Sequence, residues 1–110
     1  MTDFPEEIKA LSKFWGAENA KVYDITGVKA ENGWQMLFSN YDAGFALDEH
    51  THESENVGVV LEGELHFTLN GETKSYGPGE WYRVPKGAPH SASYPVATRS
   101  IDILMLAKDT

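Results

Sequence analysis

The spacing of apolar and polar residues changes once along the chain. Near the start, Ile8, Leu11 and Trp15 recur at helical intervals with Phe14 beside them, which predicts a short helix over residues 3–15. Asp3 stands where an N-cap belongs, Pro5 suits the first turn and Gly16 suits the stop. Such a helix would pack across the rest of the domain or onto a second copy. After Lys21 the pattern shortens to strand-length runs at 22–25, 34–40, 45–52, 57–61, 64–69, 72–76, 81–84, 90–94 and 100–106. Turn signals separate them at Asn32-Gly33, Gly63, Asn70-Gly71, Pro78-Gly79 and Gly87. Leu69-Asn70-Gly71-Glu72 is the clearest hairpin, because Asn-Gly accepts the positive φ angles of a type I′ turn. Short strands without intervening helices predict an all-β sandwich or barrel of the jelly-roll kind.

Length and composition narrow this picture. The 110 residues make one domain, with no linker, repeat or low-complexity stretch to divide it. Residues 1–16 read as helix and lead-in, and residues 21–107 as barrel. Apolar residues at 41% and charged residues at 24% fit a soluble globular protein. The absence of cysteine excludes disulfides, thiolate metal sites and cysteine nucleophiles. With a net charge of −8 and nine scattered Lys and Arg, no basic stripe exists to displace counterions, so nucleic acid is not an expected partner. No apolar run reaches the length of a membrane span, and the acidic first residues lack a signal-peptide pattern. The expected location is the cytoplasm.

The chemistry concentrates in two segments. In Gly44-Phe45-Ala46-Leu47-Asp48-Glu49-His50-Thr51-His52, strand alternation puts His50 and His52 on one face. Their Cα atoms would stand roughly 6–7 Å apart, close enough for two imidazoles to converge on one ion. A polar surface stripe is the competing reading of those two residues alone. The second segment favours the metal: Pro85 and Gly87 shape a tight turn that delivers His90 to the start of the next strand. Three protein ligands are the usual minimum of a catalytic-type site.

These residues resemble the cupin family. Its first motif, Gly-x5-His-x-His-x(3,4)-Glu-x6-Gly, runs here from Gly44 through His50 and His52 to Gly63. Its second, Gly-x5-Pro-x-Gly-x2-His-x3-Asn, runs from Gly79 through Pro85, Gly87 and His90. The resemblance implies a double-stranded β-helix, the cupin jelly-roll barrel, with a short N-terminal helix. It also implies one divalent metal ion (zinc, nickel, iron, manganese or copper, which these donors do not distinguish). Two positions depart from the pattern. Asn56 stands where the ligand Glu is expected, and Tyr94 where the second motif often has Asn. Neighbouring Glu55 should face away from the ion by alternation. Three neutral imidazoles and an amide oxygen would leave the full double charge on the metal, making a stronger Lewis acid.

Asn56-Val57-Gly58 is also similar to the pattern of small pectin-degradation cupins that linearise unsaturated uronates. In that subfamily an inward Asp of the last strand assists catalysis, which here points to Asp102 within Ser100-Ile101-Asp102-Ile103-Leu104. The alternative for Asp102 is a structural salt bridge with Arg99 or Arg83. His66 reads as a strand histidine, and Arg83 as a surface or paired residue rather than a substrate clamp. Trp34, Met36 and Phe38 read as core rather than as lining of a barrel mouth. Among the flanking carboxylates only Asp48 shares the expected ligand face. The expected function is a metal-dependent enzyme acting on a small polar molecule such as a sugar acid. The alternatives are a non-catalytic module that binds metal and a small ligand, or a three-histidine dioxygenase. Open sheet edges predict a homodimer.

Overall fold

The computed structural model describes residues 3–15, 23–51 and 53–105. One short helix, α1 (Glu6–Lys9), precedes ten strands: β1 (Ser12–Trp15), β2 (Tyr23–Lys29), β3 (Gln35–Tyr41), β4 (Phe45–His50) and β5 (Glu55–Glu62), then β6 (Leu65–Leu69), β7 (Glu72–Tyr76), β8 (Trp81–Val84), β9 (His90–Tyr94) and β10 (Thr98–Met105). They form two antiparallel sheets. One has the order β1-β2-β3-β10-β5-β8 and the other β4-β9-β6-β7. No helix among the described residues is long and apolar enough to cross a membrane.

The inward faces of both sheets supply the core. Leu37, Tyr41, Leu65, Phe67, Tyr82 and Tyr94 are among its larger members. Inward and outward positions alternate as the pleat requires: along β8, Trp81 and Arg83 are exposed while Tyr82 and Val84 are buried. The hairpin between β6 and β7 has the expected turn, with Asn70 at φ 51° and Gly71 at φ 82° and Leu69 opposite Glu72.

The helix expected over residues 3–15 is cut to the single turn Glu6–Lys9, which buries none of its own residues. Its N-cap position is Pro5, not Asp3. Asp3 instead accepts a hydrogen bond from the Phe4 N–H at 2.7 Å. Ser12–Trp15 extends and pairs with Ile25, Thr26 and Gly27 of β2. A helix this short is marginal in water, and an open sheet edge offers the backbone a better ladder. The segment is tied down where Phe4 meets Phe38 edge to face at 5.6 Å. Phe38 is therefore buried on the outer face of β3, while Trp34 is 44% exposed. The proposed stop at Gly16 and the start and end of the barrel at 21–22 and 106–107 lie outside the described residues.

Candidate functional site

A cavity of about 270 Å³ lies between the sheets, and His50, His90, Asn56 and Asp102 all reach its wall. Strand pairing brings the two histidines together. His50 ends β4 and pairs directly with His90, the first residue of β9. Their ring centroids are 4.2 Å apart. Each Nδ1–H donates to a backbone carbonyl two residues earlier, His50 to Asp48 at 2.7 Å and His90 to Ala88 at 2.9 Å. A carbonyl can only accept, so these bonds select the tautomer whose Nε2 carries the lone pair. Metal-binding histidines are oriented by contacts of this kind.

The route by which His50 reaches the wall differs from strict alternation. Phe45 pairs with Tyr94 and Leu47 with Ala92, and the register then shifts before His50 meets His90. This bulge resets the side-chain faces, as an extra residue in one strand must. Leu47 and His50 therefore both line the cavity. Asp48, expected on the ligand face, is exposed and contributes only its carbonyl. His52 lies outside the described residues.

From the opposite sheet, Asn56 enters through the inward row of β5. Its Oδ1 is buried with no hydrogen-bond partner among the described residues. Such an atom is costly to leave unpaired and asks for a ligand, ion or water. Glu55 does not line the cavity. Among the described residues no three His, Cys, Asp or Glu side chains form one cluster. The groups that could hold a cation are thus His50, His90 and the Asn56 oxygen.

Asp102 sits two residues further in than Leu104, which is the β10 partner of Asn56. It is opposite Gly58 of β5, and Gly58 is in turn opposite Tyr82 of β8. The Tyr82 hydroxyl donates to Asp102 Oδ1 across that glycine. A Cβ at position 58 would meet Asp102 Oδ1, Tyr82 Cζ and Tyr82 Oη all closer than 3.0 Å, so only glycine leaves room for the contact. Ser100 Oγ–H donates to Asp102 Oδ2 at 3.4 Å. Burial pushes the Asp102 carboxyl up to about 6, while the Tyr82 and Ser100 hydrogen bonds pull the other way. Burial and the nearby carboxylate hold the Tyr82 phenol well above its ordinary value. Asp102 is therefore a buried carboxyl on the wall of a cavity, held above the usual carboxylate range.

Neither arginine considered as a partner for Asp102 reaches it. Arg99 donates to Glu62 at 2.7 Å and to Asn40 at 3.0 Å, and its guanidinium lies 5.4 Å from the Phe4 ring centroid. Arg83 is exposed. His66 pairs with Glu64, in keeping with a strand histidine. Tyr94, in place of the motif Asn, stacks on Tyr41 with centroids 4.0 Å apart. Sequence reasoning assigned no role to Tyr82 or Gly58. The available signal was a glycine inside an apolar strand, which often marks a close approach.

Residues 37–99 match the family profile described as Cupin domain (Cupin_2). This chain belongs to the cupin family. Over 59 residues, 53% of its length, this cupin is 39% identical to the HTH-type transcriptional regulator PuuR of Escherichia coli (strain K12). It is 32% identical over 59 residues, again 53% of its length, to quercetin 2,3-dioxygenase of Bacillus subtilis (strain 168). The matches cover 32% and 18% of those proteins, so the chain spans a third or less of these curated relatives. Among solved structures, KdgF from Halomonas sp. superposes with a TM-score of 0.77 at 19% identity, covering 99% of this chain and 96% of that one. That likeness is one of fold, and it bears out the double-stranded β-helix.

Proposed function

We propose that this cupin is a metal-dependent enzyme acting on one small molecule held in the cavity between its sheets. His50, His52, His90 and Asn56 are the proposed ligands of a single divalent ion, and Asp102 the acid–base group. The observation that carries the reading is that buried Asp102 lines the same cavity as His50, His90 and the Asn56 oxygen, which has no partner among the described residues. A divalent ion at these donors would polarise a carbonyl or hydroxyl of the substrate. The residues have separate tasks. The Asp48 and Ala88 carbonyls orient the imidazoles. Tyr82 and Ser100 hold the Asp102 carboxyl in one place. Asp102 accepts or returns a proton at its carboxylate oxygen.

The test pairs metal analysis with turnover on a panel of sugar acids, enols and diketones. Asp102→Asn keeps the shape and the metal, and turnover falls about 10²–10⁴-fold. A second reading, a module that senses a small ligand, is favoured by the 39% identity with part of a transcriptional regulator. In that case Asp102→Asn changes ligand affinity or nothing, and no substrate of the panel is consumed.

A further inference from the structure

We infer that the cavity selects a neutral, largely apolar molecule of about one substituted ring, with its oxygen atoms at the His50–His90–Asn56 end, rather than a sugar acid. The inference rests on the cavity being the ligand site proposed above, and it names the class of ligand.

Size is the first argument. An engineered cavity of about 150 Å³ holds a benzene molecule. At about 270 Å³ this one has room for a ring with substituents.

The wall is the second. Apart from His50, Asn56, His90 and Asp102, every described residue lining the cavity is aliphatic or aromatic, with three tyrosines, Tyr41, Tyr82 and Tyr94, among the aromatics. None is Lys or Arg. Away from the proposed divalent ion, a buried ligand carboxylate needs a cationic side chain or several N–H donors, and the described wall offers neither. The two arginines nearest in sequence to the site strands are committed elsewhere: Arg99 to Glu62 and Asn40, Arg83 to solvent. Beyond the histidines and the buried phenols of Tyr41, Tyr82 and Tyr94, the ionisable group on the described wall is Asp102, whose charge has the same sign as a sugar acid's. The chain's net charge of −8 adds repulsion in the same direction.

The distribution of polarity is the third argument. Apart from the hydroxyls of Tyr41, Tyr82 and Tyr94, of which Tyr82 donates to Asp102, the polar side chains of the wall run from the His50–His90 pair and Asn56 to Asp102, two residues along β10 from the partner of Asn56. Leu47, Ala92, Phe67 and Leu37 supply the neighbouring surface. A ring would lay its carbon body there. The hydroxyls of a sugar, spread around its whole rim, would meet those side chains unpaired.

The experiment compares phenol, benzoate and galacturonate by amide-detected NMR titration of the full chain. It uses chelator-treated protein and protein loaded with zinc. Phenol should bind the chelated protein about tenfold or more tighter than either acid, with shifts centred on Leu47, Phe67 and Ala92. Chelated protein reads the wall alone, so this outcome does not depend on the metal or on turnover, which test the enzyme reading. Leu47→Arg places a cation on the wall and should move the benzoate-to-phenol preference by about tenfold toward benzoate. If that variant does not fold, the wild-type titrations still decide. Equal or tighter binding of either acid by the chelated protein, or no shift with phenol at tens of millimolar, overturns the inference.

Discussion

Replacing Asp102 by Asn should stabilise this protein at pH 8 while disabling it. Asp102 titrates at about 6 when folded, against 3.8 as the ordinary carboxyl value, and burial is the larger cause. Its folded value lies above its unfolded one, so the folded state binds the proton more tightly. The carboxyl therefore costs nothing below pH 3.8, costs progressively more up to about 6, and costs its full amount above. A rise from 3.8 to about 6 corresponds to ~3 kcal/mol. Asparagine keeps an oxygen for the Tyr82 hydroxyl to donate to and removes the charge. Its NH2 group, placed where Oδ2 now accepts from Ser100, returns ~1 kcal/mol of that gain. The net expectation is ~2 kcal/mol of added stability at pH 8 and little or none at pH 4.5. The assay is urea unfolding of chelator-treated protein at pH 4.5, 6 and 8, reading the variant-minus-wild-type difference. Carboxylates distant from residue 102 contribute equally to both proteins and cancel. The m-value should not change, because the surface exposed on unfolding is the same. A difference that stays flat between pH 4.5 and 8 would refute the buried, titrating carboxyl and with it the proposed acid–base role.

Three further outcomes follow from the same geometry. Gly58→Ala forces apart Tyr82 and Asp102, and the lost hydrogen bond together with overpacking should cost ~3 kcal/mol, lowering Tm by roughly 10 °C or more; a melting curve within a degree or two of wild type would contradict the close approach. Asn56→Ala should weaken zinc binding measured by chelator competition while Glu55→Ala leaves it unchanged, and the reverse ranking would show that the buried Asn56 oxygen is not a ligand. The edge strand β8 carries Trp81, 61% exposed, and the protein is expected to be a homodimer; light scattering that gives a mass of 12.2 kDa at micromolar concentration would exclude it.

The parts of the protein that local rules govern were legible in the chain. Nine of the strands appear where alternation and turn residues put them, because a run such as Trp81–Val84 states its own period and its own ends. Asn70-Gly71 forms its turn because few other pairs tolerate two positive φ angles in succession. His90 reaches the cavity because Pro85 and Gly87 act on the few residues before it. The inward position of Asp102 also follows from alternation, once β10 is recognised as a central strand.

The remainder depended on which strands became neighbours. Ser12–Trp15 carries a helical spacing, yet pairing with β2 outweighed a one-turn helix. The bulge ahead of His50 exchanged the roles of Leu47 and Asp48, and it exists only in the register between β4 and β9. Tyr82 lies 20 residues from Asp102 and meets it only because Gly58 separates β8 from β10 by a strand with no side chain at that point. The largely apolar wall, with no Lys or Arg among its described residues, was equally hidden. A sequence shows how many arginines there are, but whether Arg99 faces a ligand or Glu62 is decided when β10 takes its place beside β5. Turn and strand preferences act over a few residues, whereas the chemistry of this cavity is set by contacts between strands far apart in the chain.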